Sequence, residues 1–395
     1  MTTVSPASAM PATPPGTHAP KPPGFWKAMW IVAALELRQR RRSRTLWILG
    51  AIWFVLIGIV TAVTWYMLSL TADATGQEID AYPLFSLIVY FVLLFGSLVA
   101  PALSAGSISS ERSGGTLATT QVTLISTGSI LAGKALASWI TGIAFLIVAA
   151  PFVIVSVALA QASVLQLFIA ILALMLQIGL FTLMGVGLSA LISSPLFAIV
   201  TAYLLVALLS IGTLIAFALA TGTTTRYEDV EYQTYSEQYY QDLDACQEKL
   251  GYTEESYTEC EETLPPECVT ETMSIPVVAT DKFWWILAMN PYVTVGDMVY
   301  VQTDDYPRDL FGMIAYSVRT MQKPPAESQG WDDCGPSVRY SASYESPVAT
   351  ELKGTVPVWW IGLTLQLVIA GGLLWGGYRR LHTPAAKIPK GTRIA

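Results

Sequence analysis

The sequence predicts an all-α membrane protein of six transmembrane helices, with an N-terminal interfacial elbow helix and a disulfide-containing extracytoplasmic domain between helices 5 and 6. Three observations carry that prediction. First, 53% of the 395 residues are hydrophobic and 13% are charged, with a mean hydropathy of +0.50; soluble domains carry about 25% charge. Second, six apolar runs are free of charge: Leu46–Leu70, Leu84–Leu103, Leu136–Ala160, Leu165–Leu191, Leu196–Ala220 and Val356–Tyr378. Each can cross a bilayer as a helix, for which about 20 residues suffice, and none alternates as a barrel strand would. Third, the net charge of −7 is segregated: residues 226–353 hold 24 acids and 8 bases, leaving 5 acids and 14 bases elsewhere. Bases flanking the first and last spans place both termini in the cytoplasm and the acidic block outside.

In chain order, residues 1–24 are rich in Pro, Ala and Thr and lack the apolar core of a signal peptide, so a disordered cytoplasmic tail is expected. Phe25–Leu37 reads as a helix too short to span, anchored at the inner face by Trp26 and Trp30. The arginines that follow, Arg40, Arg41 and Arg42 among them, stand directly before a span; headgroup contact and topology are expected of them rather than nucleic-acid binding. Spans one to five fill residues 45–221. Pro101 is expected to kink span two, and Pro151 to hinge or bend span three. Ser193–Pro195 leaves room only for a tight turn between spans four and five.

Residues 222–355 form the extracytoplasmic block. All four cysteines, Cys246, Cys260, Cys268 and Cys334, fall inside it. An oxidising exterior lets them form two disulfides, with three connectivities open. Within the block, residues 283–301 (FWWILAMNPYVTVGDMVYV) are apolar but interrupted by Pro291 and Asp297. As a seventh span they would put the basic C-terminus outside, so a re-entrant or interfacial helix is expected. Residues 356–380 hold the last span, stopped by Arg379 and Arg380, and residues 381–395 a second cytoplasmic tail.

Gly106–Ser126 (GSISSERSGGTLATTQVTLIS) is the polar segment held between spans two and three at the inner face, with one charged pair, Glu111 and Arg112. Just after it, GSILAGKA mimics a phosphate loop but has Ala135 where Mg²⁺ binding needs Ser or Thr, and it runs into a span; it is not an ATP site. Lys134 is then expected to snorkel toward the headgroups. The two histidines, His18 and His382, lie in the tails, and no metal spacing appears. No catalytic or metal site is expected. No Asp, Glu, His, Lys or Arg occupies the central part of a run, so proton coupling through titrating groups lacks its chemistry. Energy is expected from a separate protein.

These residues carry a resemblance. Gly106–Leu117 (GSISSERSGGTL), with Leu124-Ile125-Ser126 and Gly133-Lys134 after it, is similar to the signature of ABC-2-type permeases, the membrane subunits of one class of ABC exporter. Asn290-Pro291 resembles an element such permeases carry before their last span. Ala118 departs from the acid common at its position, and Thr123 from a turn residue. The resemblance implies a dimer of six-span subunits, homo- or heteromeric, each docked on a cytoplasmic ATPase that holds ATP and Mg²⁺. It also implies a coupling helix near Ser110–Thr120. Glu111 and Arg112 would be its polar contacts, Gly114 and Gly115 its turn, and Thr116 and Leu117 its docking knob.

The expected function is the permease subunit of an ATP-driven exporter in the plasma membrane, of bacterial type from its Ala-, Gly- and Arg-rich, Asn-poor composition. The cargo path would be lined by Tyr90, Ser97, Gln177, Thr182, Thr201 and Tyr203, polar points on apolar walls that suit a lipidic, amphipathic or drug-like cargo. Two alternatives remain: a binding or sensing protein acting through the acidic outer domain, and a sodium exporter of the same family.

Overall fold

The computed structural model describes residues 23–76, 78–114, 126–265, 267–301, 306–324, 334, 348 and 351–381. Helix α1 is Phe25–Arg41, extending the expected helix into the arginine run. It ends where Ser43 N–H turns back to the Arg40 carbonyl at 3.0 Å. The long helices follow: α2 (Arg44–Thr75), α3 (Tyr82–Ser104), α5 (Thr127–Leu159) and α6 (Val164–Leu191), with the short α4 (Ser109–Ser113) between α3 and α5. Helices α7 (Pro195–Ala207) and α8 (Thr213–Gly222) form one more apolar rod, and α14 (Trp359–Leu381) the last. Among the described residues, six helices are long and apolar enough to cross a membrane.

Local sequence sets the ends of these rods. The Ser126 hydroxyl accepts from Ser129 N–H at the start of α5. Ser163 and Gln166 form a reciprocal capping box at the start of α6, at 3.1 and 3.0 Å. Pro195 opens α7 directly after the turn, where a missing N–H costs nothing. Pro151 does not break α5, which runs eight residues beyond it.

Lipid tails are as apolar as leucine, so these helices are held by close packing and interior hydrogen bonds. Helices α3 and α6 are the most buried and form the centre. Gly187 of α6 meets α14 so closely that a Cβ there would lie 2.8 Å from the Leu373 Cβ. Helix α2 stands at the margin, anchored by Trp53, whose ring stacks on Phe95 at 3.8 Å and whose indole N–H donates to the Phe145 carbonyl. The apolar rod α7–α8 is interrupted by a π turn, Leu208–Gly212. The wider turn takes a carbonyl out of the regular ladder, and Asn290 Nδ2 donates to the Ser210 carbonyl at 2.6 Å.

The region after α8 corrects the all-α expectation. Strands β1 (Arg226–Tyr235) and β2 (Cys268–Val277) pair antiparallel along ten residues, Arg226 opposite Val277 and Tyr235 opposite Cys268. Between them lie α9 (Glu237–Leu250) and α10 (Glu254–Thr263), which share a small core of Tyr239, Leu243 and Cys260. Of the three possible connectivities, the chain adopts Cys246–Cys260 and Cys268–Cys334.

Residues 283–301 are two short helices, α11 (Trp284–Ala288) and α12 (Pro291–Val299), broken at Asn290 and followed by α13 (Leu310–Thr320). The break is buried in protein. The Met289 carbonyl accepts from Gln366 Nε2 at 3.1 Å, and Gln366 lies seven residues along α14, about 10 Å from its start. Asp297 is fully buried and holds three elements together. Its Oδ1 accepts from Arg319 of α13 at 2.6 Å, and its Oδ2 from the N–H groups of Val358 and Trp359 at 2.6 and 2.9 Å. A carboxylate at the start of α14 satisfies two of its open N–H groups and faces the positive end of the helix dipole.

Candidate coupling site

Three helices meet beside α4. Helix α1 lies against α5 because Gly133 has no side chain: a Cβ there would sit 2.7 Å from the Met29 carbonyl and 2.7 Å from the Val32 Cβ. That close approach brings the next residue, Lys134, between two carboxylates. Its Nζ lies 2.5 Å from Glu36 Oε1 on α1 and 2.7 Å from Glu111 Oε1 on α4, and the residue is only 3% exposed. Lys134 therefore does not reach outward to the headgroups; the buried ammonium is held inside by the two acids.

Arg40 completes the cluster. Its Nε lies 3.8 Å from Glu36 Oε2, one helical turn away. Its Nη atoms donate to Ser138 (2.9 Å), Thr141 (3.2 Å) and the Leu103 carbonyl (3.0 Å). Arg40 is thus turned into the protein, unlike Arg41 and Arg42, which remain exposed. Burial lowers the Arg40 pKa from its ordinary value, and the Glu36 carboxylate acts in the opposite direction. Two bases and two acids balance, as buried charges require.

Helix α4 is tied on its other side to the end of α6. The Ser189 hydroxyl accepts from the Ile108 and Ser109 N–H groups at 2.9 and 3.1 Å, and Arg112 donates to the Ala190 carbonyl at 3.3 Å. At its far end Gly114 N–H returns to the Ser110 carbonyl at 2.9 Å. Gly115, Thr116 and Leu117, the rest of the expected coupling residues, lie outside the described residues. The chemistry available is that of a mechanical joint: a buried charge cluster on one side and a hydroxyl cap on the other.

Trp26 and Trp30 project outward from α1, 75% and 58% exposed. Five of the six residues expected to line a cargo path donate hydrogen bonds within this chain. Tyr90 donates to the Tyr292 carbonyl at 3.2 Å, Ser97 to Leu94 at 2.7 Å, Thr182 to Ile178 at 2.8 Å and Tyr203 to Leu98 at 2.9 Å. Gln177 donates to Gln366 Oε1 at 2.6 Å, linking α6 to α14 at mid-helix. Thr201 is half-buried on α7.

Sequence reasoning missed Glu36, Ser189 and Gln366, and took Asp297 only as an interruption of an apolar run. Glu36 had a signal: it is the sole acid between Phe25 and Ala72. Ser189 had none, being one hydroxyl among many on apolar helices.

No curated protein matches the chain. Residues 30–254, more than half of the chain, match a family model described as ABC-2 family transporter protein. The match takes in α4 together with Glu36, Lys134 and Ser189, so the chain belongs to the ABC-2 family of transporter proteins and is a membrane transport component, a permease.

Proposed function

We propose that this permease is the membrane subunit of an ATP-driven exporter and that α4, with the residues after it, receives the stroke of a separate cytoplasmic ATPase. The observation that supports this reading most is the Glu36–Lys134–Glu111 cluster. It fixes α4 to α1 and α5 at once, while Ser189 fixes it to α6. A push on α4 would therefore move three helices as a unit instead of bending a loose loop. Helix α1 would lie along the inner face with Trp26 and Trp30 in the headgroup region, both termini would be cytoplasmic, and a second subunit would complete the path. Apolar walls without central charge suit a lipidic or amphipathic cargo.

The test is the ATPase activity of two preparations. The chain purified alone should hydrolyse no ATP. The chain drawn from native membranes in mild detergent should carry an ATP-binding subunit and hydrolyse ATP. Robust hydrolysis by the isolated chain would overturn the reading.

A further inference from the structure

A slot of about 300 Å³ opens between α1, α2 and α5, near the junction of α1 and α2. Its walls include Leu37, Leu46, Gly50, Ala144 and Phe145, with Arg41 at the rim. The volume is at the lower end of those that hold small ligands. Two features make the slot. Gly50 leaves the α2 wall open, its nearest neighbour across the gap being Phe145 at 4.0 Å from a built Cβ. Further along α2, Trp53 ties that helix to α3 and α5 by packing on Phe95 and bonding to the Phe145 carbonyl. The result is an open, mostly apolar groove that runs along α5 as far as Val148 and has Arg40 and Arg41 among its lining residues.

The charge at that opening is one-sided. Arg38, Arg41, Arg42 and Arg44 are exposed and make no ion pair among the described residues, and the nearest acid in sequence, Glu36, is already committed to Lys134 and Arg40. An occupant must therefore join a hydrocarbon tail to an anionic head. We propose that the slot binds one acyl chain of an anionic phospholipid from the leaflet on the α1 side, its phosphate held by Arg41 and its neighbouring arginines. The lipid would fill the gap beside α2, the least buried of the spans, and brace the joint where α1 turns into α2.

Native mass spectrometry of the full-length chain, titrated with phosphatidylglycerol or phosphatidylcholine, tests this. Wild type should retain one phosphatidylglycerol per chain in preference to phosphatidylcholine. Gly50→Leu and Ala144→Leu fill the slot from opposite walls, and Ala144 is exposed, so at least that variant folds. Both should lose the retained lipid. Arg41→Gln with Arg44→Gln, both at exposed positions, should weaken phosphatidylglycerol binding about thirtyfold and leave phosphatidylcholine unchanged. Equal retention of the two lipids by wild type would overturn the proposal. So would unchanged phosphatidylglycerol binding in Ala144→Leu or in the double arginine variant.

Discussion

Lys134 sits where a bare lysine could not stay, since an unpaired ammonium in a low-dielectric interior costs several kcal/mol. Replacing it with Met removes the charge that Glu36 and Glu111 share and leaves Arg40, 3.8 Å from Glu36, as the cluster's remaining base against two acids. The expected cost is about 3 kcal/mol, the lower end for breaking a buried pair, because the two carboxylates keep 19% and 30% exposure. Chemical denaturation in detergent reads that loss. Neutralising Glu111 as well (Glu111→Gln), which leaves Glu36 paired with Arg40, should recover most of it. A double variant as unstable as Lys134→Met alone would show that packing, not charge, sets the site. The sequence exposed Gly133-Lys134 and Glu111 as a spaced pattern, yet it hid their purpose. A lysine at the end of an apolar run looks the same whether it reaches for headgroups or for a partner 98 residues away.

At the scale of elements, close approach and capping decide which helices touch. Gly133→Ala places a methyl against the Met29 carbonyl and Val32. It should cost about 1–3 kcal/mol by overpacking and lower Tm. Gly372→Ala, with nothing within 4 Å of the added carbon, should leave Tm unchanged. Asp297 offers a second test. Asp297→Ala leaves Arg319 without its partner and α14 without its cap, so a loss of about 3–5 kcal/mol is expected. Asp297→Asn keeps an acceptor for Val358 and Trp359 N–H and should lose distinctly less. Hydrogen exchange in the first turn of α14 distinguishes the two, protected in Asp297→Asn and open in Asp297→Ala. The six apolar runs and the break at Asn290-Pro291 were legible because length, hydropathy and proline act locally. The π turn at Leu208–Gly212 was not, since its open carbonyl is satisfied by Asn290, 80 residues on. The β1–β2 ribbon was equally hidden: its register comes from a pairing across more than 30 intervening residues, not from any local repeat.

At the scale of the whole molecule, the proposed coupling role belongs to α4 and the charge cluster and gives no part to the disulfide-bonded ribbon that follows α8. Deleting Tyr227–Thr272 should therefore spare ATPase activity in the complex drawn from membranes; loss of all activity would favour a sensing role for the acidic region. The central claim is that α4 is the contact surface for a separate motor, and a photo-crosslinking residue at exposed Ser113 tests it most directly in living cells. The account predicts an adduct with an ATP-binding protein whose yield changes when ATP is depleted. The absence of any such adduct, together with ATP hydrolysis by the purified chain alone, would contradict it.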